Sequence, residues 1–420
     1  MHRTYCLLLA LSFCQWSIAK TFLIADRYLD VEKGHYVDSP VIVIEDDRIL
    51  SMTGDIERRQ NSDQVIDLAG MTLLPGLVDS HVHIEGDQSL HGFEKLGQSD
   101  QAALLSGVSN ARDMLTAGIT TIRNLGSRTY GDIALRDAIN DGIIDGPRIF
   151  AAGPPLGITG GHCDSTLLPR EFGLKSPGVA DGPWKVVEKV RENIKYGSDV
   201  IKFCATAGVM SKGTEVGVQQ YTLEEMRILV EEAHRRGKIV AAHAHGTAGI
   251  KSAILAGADS IEHASFIDSE GIRLAKQNGT YLSMDIYVTE YILGRGAEAG
   301  ILEENLAKER TVGKIQRDNF RKAVVAGVKM VMGTDAGIYP HRESPRQLSR
   351  MVQFGMTPIQ ALQSATINAA TLLKEQENFG SLGNGKYADI IAVRGDPLTD
   401  ISLLEDVSFV MKAGSIYKRP

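Results

Sequence analysis

The sequence predicts an α/β fold, a (β/α)8 TIM barrel with a small β-sandwich domain formed by both chain ends. Three observations predict it. Eight short apolar segments alternate with amphipathic helical patterns through the middle of the chain. The two ends share a different, strand-and-turn texture. Metal-capable side chains recur at the C-terminal ends of the central segments. At 420 residues, with 43% hydrophobic and 23% charged residues, the chain can bury a large core. Its formal charge of −7 and its lack of polybasic runs exclude nucleic acid and anionic membrane as expected partners.

The chain opens on "MHRTYCLLLALSFCQWSIAK", a short basic start, an apolar run, and small residues Ser17 and Ala19 flanking Ile18. That is the pattern of a secretory signal, so residues 1–19 are expected to be removed after Ala19 and the protein exported, to the periplasm or the medium. The apolar run is too short to span a membrane, and no insertion is expected once it is gone. Cys14 stands where a lipid-anchored cysteine could, but Phe13 is bulkier than such sites take. With Cys6 and Cys14 removed, only Cys163 and Cys204 remain, too few for a disulfide scaffold. Export permits a bridge between them; free buried thiols are the expectation.

From residue 20 the chain reads as alternating strands, "TFLIADRYL", "PVIVIEDDRILSM" and "VIDLAGMTLLPG". The C-terminus returns to that texture in "ADIIAVRG" and "VSFVMKAGSIYK". Segments 20–74 and 376–420 are therefore assigned to one small β domain, and 75–375 to the barrel.

The eight barrel strands are "GLVDSHVHI", "GITTIRNLG", "PRIFAAG", "DVIKFCATAG", "IVAAHAHG", "DSIEHASF", "TYLSMDIYV" and "VKMVMGTDAG". Helical periodicity fills the gaps, at 223–237, 247–258 and 309–327 among others. The competing fold, an open doubly wound sheet, needs a Gly-rich nucleotide turn after its first strand, and none is present.

Functional residues of such barrels collect at the C-terminal ends of the strands. Here strand one ends in His81 and His83, which share a face because side chains two apart on a strand point the same way. Strand four carries Lys202, strand five His243 and His245, strand six His263, and strand eight Asp335. One such residue is most often a satisfied core polar group; five strands of eight ending this way point to a shared site. Lys202 has two readings. A lysine in an apolar strand is heavily desolvated unless paired, so it is either ion-paired or snorkelling, or it is a neutral amine that has captured CO2 as a carbamate.

"HVH", "IKFCATAG", "AHAHG", "IEHAS" and "GTDAG", in this order on strands one, four, five, six and eight, resemble the amidohydrolase superfamily. "ITGGHC" before strand four narrows the likeness to the branch of secreted Xaa-Pro dipeptidase-like and imidazolonepropionase-like enzymes, which includes ochratoxin-hydrolysing amidases. The likeness covers the whole mature chain, with "LPGLVD" entering the barrel and "GKYADIIAV" and "GDPL" leaving it. The resemblance implies a binuclear centre. His81, His83 and Asp335 would hold the more buried ion, His243 and His263 the more exposed one, and carboxylated Lys202 would bridge them. Two divalent cations are expected, with Zn2+ the default for N/O ligation. Asp335 would also act catalytically, relaying the proton from attacking water to the leaving nitrogen.

The implied activity is hydrolysis of a small-molecule amide or dipeptide. The expected product is an amino acid with a free carboxylate, from dipeptides, N-acyl amino acids or an ochratoxin A-type amide. Ring deaminases and imidazolonepropionase carry an acid shortly after the strand-five histidine, and "HAHGTAG" has none. Lactonase or phosphotriesterase chemistry would use the same centre, and a non-catalytic scaffold would usually have lost a ligand. His162 in the "TGGHC" turn, His245 and Tyr287 are the candidate substrate contacts, with the backbone N–H groups of that turn as an anion-binding nest. Met284 is a second candidate wall, His341 a candidate at the mouth, and Cys204 a packed residue. His2, His35, His91 and His234 match no motif. The sequence does not set oligomeric state, and a homo-oligomer is compatible with it.

Overall fold

The structure, a computed structural model, describes residues 19–420; residues 1–18, which hold nearly all of the segment read as a signal, lie outside them. The N-terminal strands are β1 (Thr21–Asp30), β2 (His35–Asp38), β3 (Val41–Glu45), β4 (Arg48–Ser51) and β5 (Gln64–Pro75). The barrel strands are β6 (Leu77–Val82), β7 (Ile119–Asn124), β8 (Arg148–Ala151), β9 (Val200–Cys204), β10 (Ile239–Ala244), β11 (Ser260–His263), β12 (Tyr281–Ser283) and β13 (Met330–Val331). The chain closes on β14 (Ile390–Arg394), β15 (Phe409–Lys412) and β16 (Ser415–Lys418).

Each predicted barrel segment contains one of the strands β6 to β13, and all pair in parallel. Parallel bridges at Leu156↔Phe203 and Val82↔Ala336 join the two runs and close the barrel. Every residue of β6 and β10 is buried, because helices cover the outside while side chains fill the inside. A polar residue in such a strand needs a partner or a ligand to offset its desolvation.

The helices form the outer ring. The pattern at 223–237 folds as Leu223–Arg235, started by a reciprocal capping box between Thr222 and Glu225, with Met226, Leu229, Val230 and Ala233 turned inward. The pattern at 247–258 folds as Thr247–Ala256. The one read at 309–327 starts earlier, at Glu303, and ends at Ala326. Two glutamates in its first turn and the buried Asn305 and Leu306 extend it, a charge-rich start that hides the apolar period.

The end strands form one sheet in the order β16-β15-β14-β5-β1-β3-β4, with β2 on β1. Leu23, Ile42, Leu73, Ile390 and Phe409 share one buried cluster, so the first and last strands enclose a common core. The Arg148–Asp389 ion pair, 2.8 Å, ties it to barrel strand β8. Among the described residues no helix is long and apolar enough to cross a membrane.

The free thiols expected of Cys163 and Cys204 are not found; the two form a disulfide, with Cα atoms 5.9 Å apart. The cause is a chain path that spacing does not reveal. Leu156 N donates to Lys202 O at 2.8 Å and Cys204 N to Leu156 O at 2.9 Å, laying the segment after β8 along β9. The following turn then brings Cys163 back to the end of that strand. Closing a loop across 41 residues of sequence stabilises the fold by up to about 4 kcal/mol on chain-entropy grounds.

Candidate metal centre

The C-terminal ends of the strands bring His81, His83, Lys202, His243, His263 and Asp335 to one region. The ring nitrogens of His81 and His83 and a carboxylate oxygen of Asp335 lie within 4.8 Å of one another; so do the ligand atoms of His243, His245 and His263. Asp335 Oδ1 is 3.2 Å from His83 Nε2 and 3.5 Å from His81 Nε2. The rings of His81 and His263 are 5.1 Å apart, and those of His243 and His263 4.5 Å apart, so the two groups adjoin. His263 and Asp335 have left-handed backbone, φ 69° and 57°. That conformation costs a non-glycine residue energy, and here it turns both side chains inward as their strands end.

Electrostatics keep the donors ready. Burial holds His81 down to about pH 4, with the Lys202 charge adding to it, and burial holds His243 and His245 well below the usual range. These imidazoles are neutral at pH 7 and carry free lone pairs. Burial alone would raise Asp335, but the hydrogen bond from His83 and the charge of His263 prevail and lower it. Lys202, 3% exposed, is lowered by burial to about 8, against the opposing charges of Glu262 and Asp335. About a tenth of such an amine is unprotonated at pH 7, far more than for an ordinary lysine.

Beneath the ligands is a layer that the sequence motifs do not mark. Glu262 and Arg123, both fully buried, pair at 2.9 Å, and Glu262 Oε2 lies 3.3 Å from His81 Nδ1. Asp79 accepts from Thr334 Oγ1 at 2.6 Å and from His81 N at 3.2 Å, and burial raises it to about 7. Both oxygens of Asp285 face His263 Nδ1 at 3.0 Å, and Gln316 donates to Asp285 at 3.0 Å. Asp285 thereby raises His263 against the effect of burial and aims its Nε2 into the site. An Asp285→Asn variant is expected to lose 10- to 100-fold in metal affinity, read by competition with a chromogenic chelator; unchanged affinity would discount the orienting role. The available signal was an acid just after β12, in "SMDIYV".

The proposed substrate contacts fare differently. The ring of His162 stacks on His243, centroids 4.1 Å apart, with Nδ1 3.0 Å from Ser211 Oγ. His245 stacks on His263 at 4.6 Å and places Nδ1 2.8 Å from Ser265 Oγ. Tyr287 is not on strand seven, which ends at Ser283. It precedes the helix Val288–Arg295, is 3% exposed, and its hydroxyl donates to Glu343 at 2.7 Å and accepts from Arg346 Nη1 at 3.1 Å. Met284 is fully buried core, and His341 lies buried behind His83, 3.1 Å from its carbonyl. The nest expected in "TGGHC" is spent on internal partners. Thr159 N goes to Asp181, Gly160 N to Asp164, Gly161 N to Ile158 O, and His162 N to Gln220.

Residues 72–417 match the amidohydrolase family. The chain belongs to that family. Ochratoxinase of Aspergillus niger is 35% identical over 371 residues, covering 83% of this chain and 76% of that protein. A crystal structure of a Xaa-Pro dipeptidase with bound methionine in the active site superposes with a TM-score of 0.88 at 37% identity, covering 95% of this chain and all of the other. A prolidase complexed with N-methylphosphonate-L-proline superposes with a TM-score of 0.88 at 30% identity, covering 96% of this chain and all of the other. This amidohydrolase is a hydrolase acting on C–N bonds, built as a barrel with a small β domain.

Proposed function

We propose that the protein is a binuclear metal-dependent amidohydrolase that releases an amino acid with a free carboxylate from a dipeptide or N-acyl amino acid. The observation that carries this reading is the convergence of two adjoining ligand groups beside a buried lysine. The residues suit two divalent cations. Nε2 of His81 and Nε2 of His243 are buried without hydrogen-bond partners, and a Cβ added at Gly208 would stand 2.7 Å from His243 Nε2, so glycine leaves that nitrogen open. His81, His83 and Asp335 would hold one ion, His243 and His263 the other, and carboxylated Lys202 would link them, with zinc suited to the donor set. When bound, such ions lower the pKa of water and polarise the scissile carbonyl.

The protein's own groups supply the rest. The Asp335 carboxylate, ionised at neutral pH, takes the proton from the attacking water and hands it to the leaving nitrogen. Asp285 holds His263 in one orientation, and the Glu262–Arg123 pair fixes the floor under His81. His162 and His245 flank the His243–His263 half, where an acyl group would lie. The likeness to a dipeptidase holding methionine and to an ochratoxinase supports amino-acid release. The disulfide supports export, since such bonds persist in oxidising compartments.

The test compares an N-acyl amino acid with its C-terminal amide and methyl ester, using metal-reconstituted protein at matched concentrations. The free acid is expected to be cleaved at least tenfold more efficiently. Equal cleavage of all three removes carboxylate recognition, and faster turnover of lactones or phosphotriesters removes the amidase reading.

A further inference from the structure

The donors of the centre are not equally open to solvent. The side chain of His83 is 35% exposed, whereas His243 and His263 are 4% and 5% exposed. The half that would take the acyl group is therefore the covered one. We propose that Lys308 and Glu304 clamp its cover in place and thereby set the length of acyl chain the site accepts, an inference resting on the proposed function.

The cover is the loop after β9. Its base is closed by backbone hydrogen bonds of 2.9 Å from Ala207 N to Val218 O and from Gly217 N to Ala207 O. A Cβ added at Gly208 would stand 2.5 Å from the His162 ring and 2.7 Å from the His243 ring, so the backbone there lies against both imidazoles. Three residues on, Ser211 Oγ is 3.0 Å from His162 Nδ1 and 2.7 Å from Thr214 Oγ1. Contacts thus run without a break from the candidate ligand His243 to the tip of the loop.

That tip is held by the chain after β12. Asn305 Nδ2 donates to Val209 O at 2.7 Å, Lys308 Nζ to Ser211 O at 2.6 Å and Gly213 N to Glu304 at 2.6 Å. Lys308 and Glu304 also pair with each other at 3.3 Å. From the other side the loop after β6 leans in, with Phe93 under the Lys212 ammonium, 5.5 Å from its ring centre, and Gly92 against Leu302. β6, β9 and β12 are the first, fourth and seventh strands around the barrel, with other strands between them. Loops of strands that are not neighbours meet here, so they bridge the open end. Asn305 is buried, but the Lys308 and Glu304 side chains are 14% and 40% exposed, a pair that can part without opening the core. An acyl chain lying over His243 and His263 runs into this bridge as it lengthens, and a longer one is admitted only when the clamp parts.

The experiment follows methionine release by metal-loaded protein from N-acetyl-L-methionine and from N-acetyl-trialanyl-L-methionine, which share a leaving group and differ in acyl length. Hydrogen exchange of residues 209–217, read by mass spectrometry, reports the clamp itself. Wild type is expected to favour the short substrate in kcat/KM by about tenfold or more. Lys308→Met should narrow that ratio by about tenfold and quicken exchange across 209–217. Lys308→Arg should keep both near wild type. Glu304→Gln, at an exposed position, should move both readouts as Lys308→Met does, and serves if that variant does not fold. A wild type indifferent to acyl length, a ratio that stays put while exchange quickens, or exchange that does not quicken overturns the clamp and leaves the proposed function intact. Release of methionine from neither substrate overturns both.

Discussion

Lys202→Ala is expected to empty the centre. On the proposed reading the substitution removes the side chain that would bridge the two ligand groups, and metal content measured by elemental analysis should fall from two ions per chain toward one or none. Turnover should fall with it by about 10³-fold or more, because metal activation contributes several kcal/mol to such hydrolyses. Bicarbonate together with a short-chain carboxylic acid is expected to restore part of both, since the pair supplies the missing carboxylate from solution. A folded Lys202→Ala protein that keeps two ions and its turnover would remove the bridging role.

Asp335→Asn tests the chemistry rather than the binding. Asparagine keeps an oxygen near His83 but neither accepts nor delivers a proton at neutral pH. The expected loss is about 10²- to 10⁴-fold in kcat, with KM changed little, the pattern of an interaction made only in the transition state. Metal content has to be measured on the same preparation, because Asp335 also lies within ligand distance of His81 and His83. Near wild-type kcat in the fully metallated variant would rule out the relay.

Much of the candidate site was legible because burial makes polarity conspicuous. In β6 and β10, where each position is buried, a histidine stands out against Val, Ala and Leu, and period two says which pair shares a face. Lys202 is visible for the same reason. The supporting layer was not, because Asp79, Arg123, Glu262 and Asp285 acquire meaning only from partners far away in sequence; Arg123 and Glu262 are 139 residues apart. Tyr287 was misplaced because "TYLSMDIYV" stays apolar beyond Ser283, hiding the end of the strand from its periodicity. The turn at 159–163 reads as a nest of free donors until Asp181 and Gln220 arrive from elsewhere in the fold and the adjacent Asp164 turns back onto Gly160. The cysteine pair is the same kind of case: its apposition depends on how one loop returns to β9.

That cross-link bears on how the protein matures. Cys204 is two residues from Lys202 and lies opposite His243 in the strand register. Cys163 directly follows His162, whose ring covers His243. As free thiolates, two soft sulfur donors at this position would compete with imidazole for zinc and would favour copper(I) over harder ions. Joined to each other they offer no thiolate, and the centre keeps a purely nitrogen-and-oxygen donor set. On the proposed reading the order of events would matter: oxidation before metal uptake would leave only nitrogen and oxygen donors, whereas metal arriving first would meet two thiolates.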